Sequence, residues 1–390
     1  MVNGNGGMQL TQREASAILG RNQGPEIVQT VNFAALASPY LNNTLNLNRP
    51  MERLHLRLRM RVVIGVANYT TVAAEAPVTL LQSLYLKGAH RLFGALVPVD
   101  LSGADIFALA RLTRNRGCTL IINGVRQPEP DIPYGQVGAT FGNVGTYDIE
   151  IHYDLPLTPI LPPGGELVSL PFMFTKKDWQ DTLQLRLFFG DATSFGTPNA
   201  ATTVTFSAFG SGAGTPTVDV CANYCILGPL ADSLSPGVVV RNSKLVVGQL
   251  AANVAAGFQL GPQLDKQKTT NLFIKTGVLL TGTSPGVTVF ATLSDDILDI
   301  TTPQVDNKPI RDVFNNRMSK EYAGFLFGTV LPQGYLNYSF VNPTNLLSYY
   351  RGDQVGGGAQ FNITTAIIGG VANAAAEILQ EQVIGDPQLG

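Results

Sequence analysis

Charge is scarce in this chain. Asp, Glu, Lys and Arg make up 14% of its 390 residues, against about 25% in ordinary soluble domains. Few groups are left to hold the surface apart from its neighbours, and low surface charge favours association. This points to a subunit whose flanks are covered by other subunits. The alternative is a Thr-, Asn- and Gly-rich monomer solubilised by neutral polar groups. The net charge is −2, which gives no electrostatic case for nucleic acid. Cysteine is scarce as well: Cys118, Cys221 and Cys225 are too few for a disulfide framework. Cys221 and Cys225 are near enough to pair or to share a metal. The three histidines lie far from them in sequence, however, and no second cysteine pair completes a zinc site. Buried free thiols are therefore the expectation. No apolar run reaches about 18 residues, the length that would read as a spanning helix. No basic segment leads into an apolar one near Met1, where residues 1–7 are polar and Gly-rich, so no secretory leader is expected. The expected setting is the inside of a cell, or of a particle assembled there.

What the chain does have is alternation. In residues 53–63, Leu54, Leu56, Leu58, Met60 and Val62 point one way, and Arg53, His55, Arg57, Arg59 and Arg61 point the other. Period 2 marks a strand with one face in a core and one face out. Further strand-like runs follow at 78–86, 120–122, 146–155, 183–189, 204–209 and 218–227. After a linker at 230–237 they resume at 244–250, 271–280, 287–293, 335–341 and 361–368. With 41 Gly and 24 Pro for tight turns, and 45% hydrophobic residues to fill cores, the chain reads as all-β.

Helices are few. Thr11 and Glu14 form a capping box before Ala15, Ile18 and Leu19, a helix too short to stand alone in water. Ser102 and Asp105 cap a second helix with Ile106, Leu109, Ala110 and Leu112 on its apolar face. A third is expected at 309–321, with Ile310, Val313, Phe314 and Arg317 on one face. The Ala-rich 371–383 is expected to be helical. The two halves share an order of long strand, second strand, short helix and extended segment, which suggests two copies of one eight-stranded sandwich plan. The expected division is an arm and short helix at 1–26, a first sandwich at 27–229, a linker at 230–237, a second sandwich at 238–370, and a helix and tail at 371–390.

Several patterns suggest chemistry and have plainer readings. Asp295, Asp296 and Asp299 are the one dense carboxylate cluster. It would suit acid–base work on a glycoside or a hard cation, but it lacks the glycine and spacing of a calcium loop, and a solvated turn is expected. Arg351-Gly352-Asp353 spells an integrin-type tripeptide, read here as a chance turn sequence. The glycines of residues 210–214 are followed by no Gly-Lys-Ser/Thr and no helix, so no phosphate loop is expected. The basic face of Arg53, His55, Arg57, Arg59 and Arg61 would meet anionic lipid or nucleic acid, yet neither aromatic interleaving nor a basic overall balance supports the latter. A subunit contact rich in acidic partners, or solvent, is the expectation. No cofactor is expected.

Taken in order, these segments resemble the double jelly-roll major capsid proteins, whose members include the coat proteins of tailless phages with an internal membrane (the tectivirus-like group) and the adenovirus hexon. The likeness spans about residues 10–383. It is carried by the helix at 11–19, the strand at 53–65, the segment at 78–92 with the capped helix at 102–112, the strand ending in Leu155-Pro156, the strand running into Gly190-Asp191, the Pro332-Gln333-Gly334-Tyr335 strand entry, and the closing strand at 361–370. The resemblance implies two tandem eight-stranded jelly rolls without tall towers. It implies a homotrimer of near-hexagonal outline that tiles an icosahedral shell, with neighbouring capsomers and penton or minor capsid proteins as partners. It also implies a virion location after assembly in the host cytoplasm. On this reading, Thr11, Arg13, Glu14, Ile18 and Leu19 lie at the inner base, against a membrane or a neighbouring capsomer. The competing readings are a double jelly-roll carbohydrate-binding protein or glycan-processing enzyme, which the single tryptophan, Trp179, disfavours as a sugar platform, and a secreted adhesin, which the lack of a leader disfavours.

Overall fold

The computed structural model describes residues 26–32, 41–45, 47, 50–66, 69–112, 118–127, 144–160, 174–180, 182–199, 203–224, 237–247, 256–262, 267–280, 289–305, 308–309, 316–328, 331–340, 350–351, 360–367 and 371–385. The expected helix at 11–19, residues 230–236 of the expected linker at 230–237, and Cys225 lie outside them.

The first body holds β1 (Glu26–Asn32), β2 (Leu41–Thr44), β3 (Met51–Ile64), β4 (Tyr69–Val72), β5 (Leu81–His90), β6 (Gly94–Leu101), β7 (Thr119–Ile122), β8 (Val125–Arg126), β9 (Gly145–Pro156), β10 (Gln184–Phe189), β11 (Gly196–Pro198), β12 (Val204–Ser207) and β13 (Thr217–Tyr224). Helix α1 (Gly103–Arg111) and the single turn α2 (Lys176–Trp179) interrupt it. The second body holds β14 (Val239–Val247), β15 (Ala256–Pro262), β16 (Gln267–Leu279), β17 (Phe290–Leu293), β18 (Leu298–Val305), β19 (Lys308–Pro309), β20 (Tyr335–Ser339), β21 (Tyr350–Arg351), β22 (Gln360–Ile367) and β23 (Ala374–Ile384), with α3 (Asn316–Phe327).

Pairing exposes a repeat. One sheet of the first body runs β1-β13-β3-β9 and the other β2-β10-β5-β6; in the second body the orders are β14-β23-β16-β20 and β15-β22-β18-β19. Counting only these eight strands in each body, both follow 1-8-3-6 in one sheet and 2-7-4-5 in the other, which is the order of a jelly roll. β4, β7, β8, β11, β12, β17 and β21 are additions to this plan. In both bodies the long helix, α1 or α3, lies between the fifth and sixth strands.

The alternation in β3 does what its period requires. Leu54, Leu56, Leu58, Met60 and Val62 are buried in a core with Leu84 and Leu86 of β5 and Leu185 and Leu187 of β10, while the arginines remain half-buried on the other face. Ser102 caps α1 as its sequence predicts: its hydroxyl accepts from the Asp105 N–H, and the Asp105 carboxylate accepts from the Ser102 N–H at 2.9 Å. The helix lies so close to the chain before β5 that a Cβ on Gly103 would sit 2.2 Å from the Val78 carbonyl oxygen.

Three expectations are corrected. The Ala-rich segment at 371–383 is the eighth strand of the second sandwich, not a helix; β23 pairs with β14 on one side and β16 on the other. All eleven of its residues are buried. A strand enclosed on both edges and both faces takes its conformation from its neighbours, and the helix propensity of alanine is a weak prior against that. The second sandwich therefore extends to Ile384, and residues 371–384 belong to it. The third helix, expected at 309–321, is α3, shifted to Asn316–Phe327. Ser319, Ala323 and Phe327 form its buried side, and Ile310, Val313 and Phe314 lie outside the described residues. Finally, β1 and β2 precede the run at 53–63 with which the strand-like series was expected to begin, so that strand is the third of its sandwich.

Candidate functional site: the joint between the sandwiches and the arginine face

The outward face of β16 is where the second sandwich meets the first. Lys275 is the centre of the contact. Its Nζ lies 3.4 Å from Glu75 Oε2, 3.3 Å from Asp105 Oδ1 and 3.2 Å from Glu377 Oε1. Lys244 of β14 lies 3.0 Å from Asp105 and 3.1 Å from Glu377. The Tyr335 hydroxyl donates to Glu75. Glu75 and Asp105 belong to the first sandwich and the other four residues to the second, so this ionic cluster spans the joint. Glu75, Asp105, Lys275 and Glu377 are all buried. Ala108 of α1 packs beside them with Phe290, Leu293, Tyr335 and Ala375. A void of about 20 Å³ is lined by Asp105, Lys275, Tyr335 and Glu377, room for about one water.

The cluster holds three carboxylates and two ammonium groups. Burial favours the neutral form of each, and the neighbouring charges oppose it. Burial would raise the Asp105 carboxyl, but Lys244 and Lys275 hold it well below its usual range. Burial would lower the Lys275 ammonium, but Asp105, Glu377 and Glu75 drive it well above its ordinary value; Lys244 is raised in the same way by Asp105 and Glu377. Glu377 carries the imbalance. Burial first, and then the Asp105 charge, push it up to about 7. With Glu377 protonated, two carboxylates face two ammonium groups and the cluster is neutral.

A second polar knot lies further along β16. The buried Glu381 of β23 accepts from the Ile160 N–H at 3.1 Å, the Thr270 hydroxyl at 2.7 Å and the Asn271 amide at 2.6 Å. The Asn271 amide also donates to the Ile160 carbonyl at 2.8 Å. A third contact joins the start of the second sandwich to the first, where the Gly237 N–H donates to Asp178 at 3.2 Å. Polar groups this deep are costly unless paired, and the bonds of Ile160 and Asp178 cross from one sandwich to the other. The two sandwiches are thus locked in one relative position.

The arginine face of β3 finds its acidic partners on the adjacent strands of the same sheet. Arg53 meets Asp154 of β9 at 2.7 Å. Arg57 donates twice to Asp219 of β13, with its Nε at 2.8 Å, and Arg59 reaches the same carboxylate at 3.5 Å. Arg61 grips Asp148 with two bonds of 2.8 and 2.7 Å, and this holds the Asp148 carboxyl below its usual range. His55 lies 3.0 Å from His152, which in turn bonds Glu150. Burial lowers the His152 imidazole despite that carboxylate. The four arginine side chains remain 23–34% exposed.

The remaining candidates separate. Lys320 of α3 holds Asp295 at 2.7 Å, Arg317 holds Asp296 at 2.8 Å, and the Gly334 N–H also donates to Asp295. The first two aspartates thus anchor α3, beside a cleft of about 330 Å³. The Asp299 side chain lies outside the described residues, as do Gly352 and Asp353 of the tripeptide, the Cys221 side chain, and Thr11, Arg13, Glu14, Ile18 and Leu19. Residues 210–214 form an exposed turn that bonds Asp148 through the Gly210 N–H. Cys118 is buried, its thiol donating to the Ile106 carbonyl at 3.8 Å, and Trp179 is core. Among the described residues no group of His, Cys, Asp and Glu is placed to hold a metal, and no helix is long and apolar enough to cross a membrane.

The joint is not legible along the chain because its members are scattered from Glu75 to Glu377. One signal is present: Lys275 interrupts the apolar run of residues 272–280 and Glu377 interrupts Ala-rich sequence, which is unusual in strands apolar on both faces.

No protein-family model matches this chain, and no curated protein is similar to it in sequence. Solved structures are similar in fold. The crystal structure of the STIV MCP shares 12% identity over 94% of this chain and 98% of that one, with a TM-score of 0.59. The atomic structure of Sulfolobus Turreted Icosahedral Virus shares 10% over 93% and 90%, at 0.57. The major capsid protein P2 from bacteriophage PM2 shares 10% over 92% and 98%, at 0.52. The chain has the double jelly-roll fold of these proteins.

Proposed function

We propose that this chain is the major capsid protein of an icosahedral virus, a structural subunit that assembles as a trimer of six jelly rolls and tiles a shell. The observation that carries the reading is the doubled sandwich itself. Two copies of one strand order are locked by a buried ionic joint, in the fold that the STIV and PM2 coat proteins share. A rigid pair of equivalent units in a chain poor in surface charge is suited to repetition: three copies closed by symmetry give six similar blocks around an axis. The work is geometric, and no catalytic step is assigned to any residue. The glycan-processing alternative is not favoured, since Asp295 and Asp296 are each neutralised by a cation of α3 and Trp179 is enclosed. Neighbouring capsomers, penton or minor capsid proteins and an internal membrane are the partners of this reading, with assembly in the host cytoplasm.

Native mass measurement of the purified full chain tests it. Three copies are expected at micromolar concentration, joined by interfaces of about 2,000 Å² or more. Monomer alone under assembly-promoting salt contradicts it. Thr11, Arg13, Glu14, Ile18 and Leu19 are assigned to the inner base of the shell. Deleting residues 1–20 is expected to leave the trimer folded and to impair shell formation; full-size, membrane-containing particles from the truncated chain would overturn that assignment.

A further inference from the structure

The two oxygens of Asp105, at the centre of the joint, are held differently. Oδ2 accepts from the Ser102 N–H at 2.9 Å, from the Ser102 hydroxyl at 2.7 Å and from the Lys244 ammonium at 3.0 Å. Oδ1 faces the Lys275 Nζ at 3.3 Å. One oxygen is thus gripped by three donors, and the other lies against a primary amine. Donors fixed around one carboxyl oxygen stabilise the negative charge that gathers there when a nucleophile attacks the carbon. Lysine is such a nucleophile once its ammonium has lost a proton.

The surroundings suit the same chemistry. Lys275 is 5% exposed, and its Nζ lies 5.5 Å from the centre of the Phe290 ring and 5.8 Å from that of Tyr335, both buried. Bulk water is therefore kept from the amine. Glu377 stands directly across the ladder from Lys275. Its Oε1 is 3.2 Å from Nζ, and its carboxyl is hydrogen-bonded to Asp105. Burial, and then the Asp105 charge, keep it protonated up to about pH 7, so it has a proton to give to Oδ1 and lies within reach of one from Nζ. Glu75 Oε2, 3.4 Å from Nζ, is a second proton acceptor. The void of about 20 Å³ beside Asp105, Lys275 and Glu377 has room for about one water.

We propose that Lys275 and Asp105 condense into an amide that joins the second sandwich covalently to the first. The Lys275 ammonium gives one proton to Glu75, and the amine attacks Asp105 Cγ. Negative charge collects on Oδ2, under the Ser102 and Lys244 donors. Glu377 protonates Oδ1, takes a second proton from Nζ and passes that to Oδ1 as well, and the Cγ–Oδ1 bond breaks. One ammonium and one carboxylate become one amide and one water. The two protons lost by Nζ are matched by the two gained by Oδ1, with Glu75 left protonated and Glu377 ionised. No oxidant or cofactor enters. Lys244 is as near to Asp105, but it sits on the Oδ2 side and is 18% exposed, which favours its charged form. Burial favours the free amine of Lys275, but Asp105, Glu377 and Glu75 together hold its ammonium well above its ordinary value, so the reactive form is scarce and the reaction slow. It has to occur only once. The ion-paired joint is the state in which the chain folds, and the amide forms from it. The inference concerns the single chain and does not depend on whether copies assemble.

The test uses the full chain. Purified protein is kept folded near neutral pH, and its intact mass is followed with time. The mass is expected to settle one water below the sequence value, and proteolysis is expected to release the peptides that hold residues 105 and 275 as one linked species. Lys275→Arg, which keeps the charge but offers no primary amine, is expected to hold the full sequence mass. Glu377→Gln, which keeps a neutral hydrogen-bonding group in the joint, is expected to slow linkage by at least about ten-fold, the low end for loss of a proton-transfer group. A folded natural chain that retains its full mass overturns the proposal. So does a link from Asp105 to Lys244, or a water loss confined to a single peptide. Linkage at an unchanged rate in Glu377→Gln overturns the proton relay while leaving the amide.

Discussion

Lys275→Met is expected to lower folding stability by about 3–5 kcal/mol, the scale for breaking a buried ion pair by removing one partner. The reason is local. Lys275 faces Glu75, Asp105 and Glu377 within 3.4 Å. Without it, only Lys244 remains to balance three buried carboxylates, and Lys244 pairs with Asp105 and Glu377, leaving Glu75 to the Tyr335 hydroxyl. Methionine fills much of the volume, so the loss is electrostatic and not a cavity effect. Denaturant unfolding of the variant checks this, and Lys275→Met/Glu75→Gln should recover part of the loss because it removes the carboxylate left without a cation. A loss below about 1 kcal/mol would show that the joint is solvated and does not lock the sandwiches.

Stability should also fall as pH rises toward neutrality, through Glu377. Its folded value is about 7 against an ordinary 4.5. The folded chain therefore binds one more proton than the unfolded chain between those limits, and stability declines with pH across that window. The contribution is complete below about 4.5 and gone once pH passes the folded value. Its size is on the order of 3 kcal/mol, since each tenfold change in proton affinity corresponds to about 1.4 kcal/mol. Asp105 acts in the opposite sense. Its carboxyl is held low, so its stabilisation is present above its ordinary value of 3.8 and is lost as pH falls well below it. Lys244 and Lys275, both raised, contribute fully at pH values below about 10.5 and lose that only on the strongly basic side. Between about pH 5 and 8 the cluster's slope thus belongs to Glu377. Glu377→Gln, neutral throughout, should flatten the unfolding midpoint over that range. Parallel pH profiles for the two proteins would show that Glu377 does not titrate there.

The parts of this fold that are legible in the chain are those written in local sequence. The alternation of Leu54 to Val62 places β3 and its two faces, and the Ser102–Asp105 spacing places α1, because period and capping act within a few residues. The doubled plan is legible as an order of elements. The strand β23 is not, because burial between β14 and β16 overrides the preference of its alanines. β1 and β2 are not either, because short strands of mixed polarity show little period. The arginine face reads as basic, yet its partners Asp148, Asp154 and Asp219 lie 87, 101 and 162 positions from the arginines they bond. Its neutralisation within the sheet depends on pairing that no local pattern encodes. The joint has the same origin: Glu75, Asp105, Lys244, Lys275, Tyr335 and Glu377 meet only because the second sandwich is laid against the first. Long-range contacts of this kind set the functional surfaces of the molecule, and local sequence sets the elements that carry them.

Single-particle imaging of the purified full-length oligomer is the most direct test of a chain built to be tiled. Three copies should appear as six lobes of similar size around one axis, alternating first and second sandwiches. Isolated two-lobed particles, or an oligomer whose lobes do not close around a common axis, would contradict it.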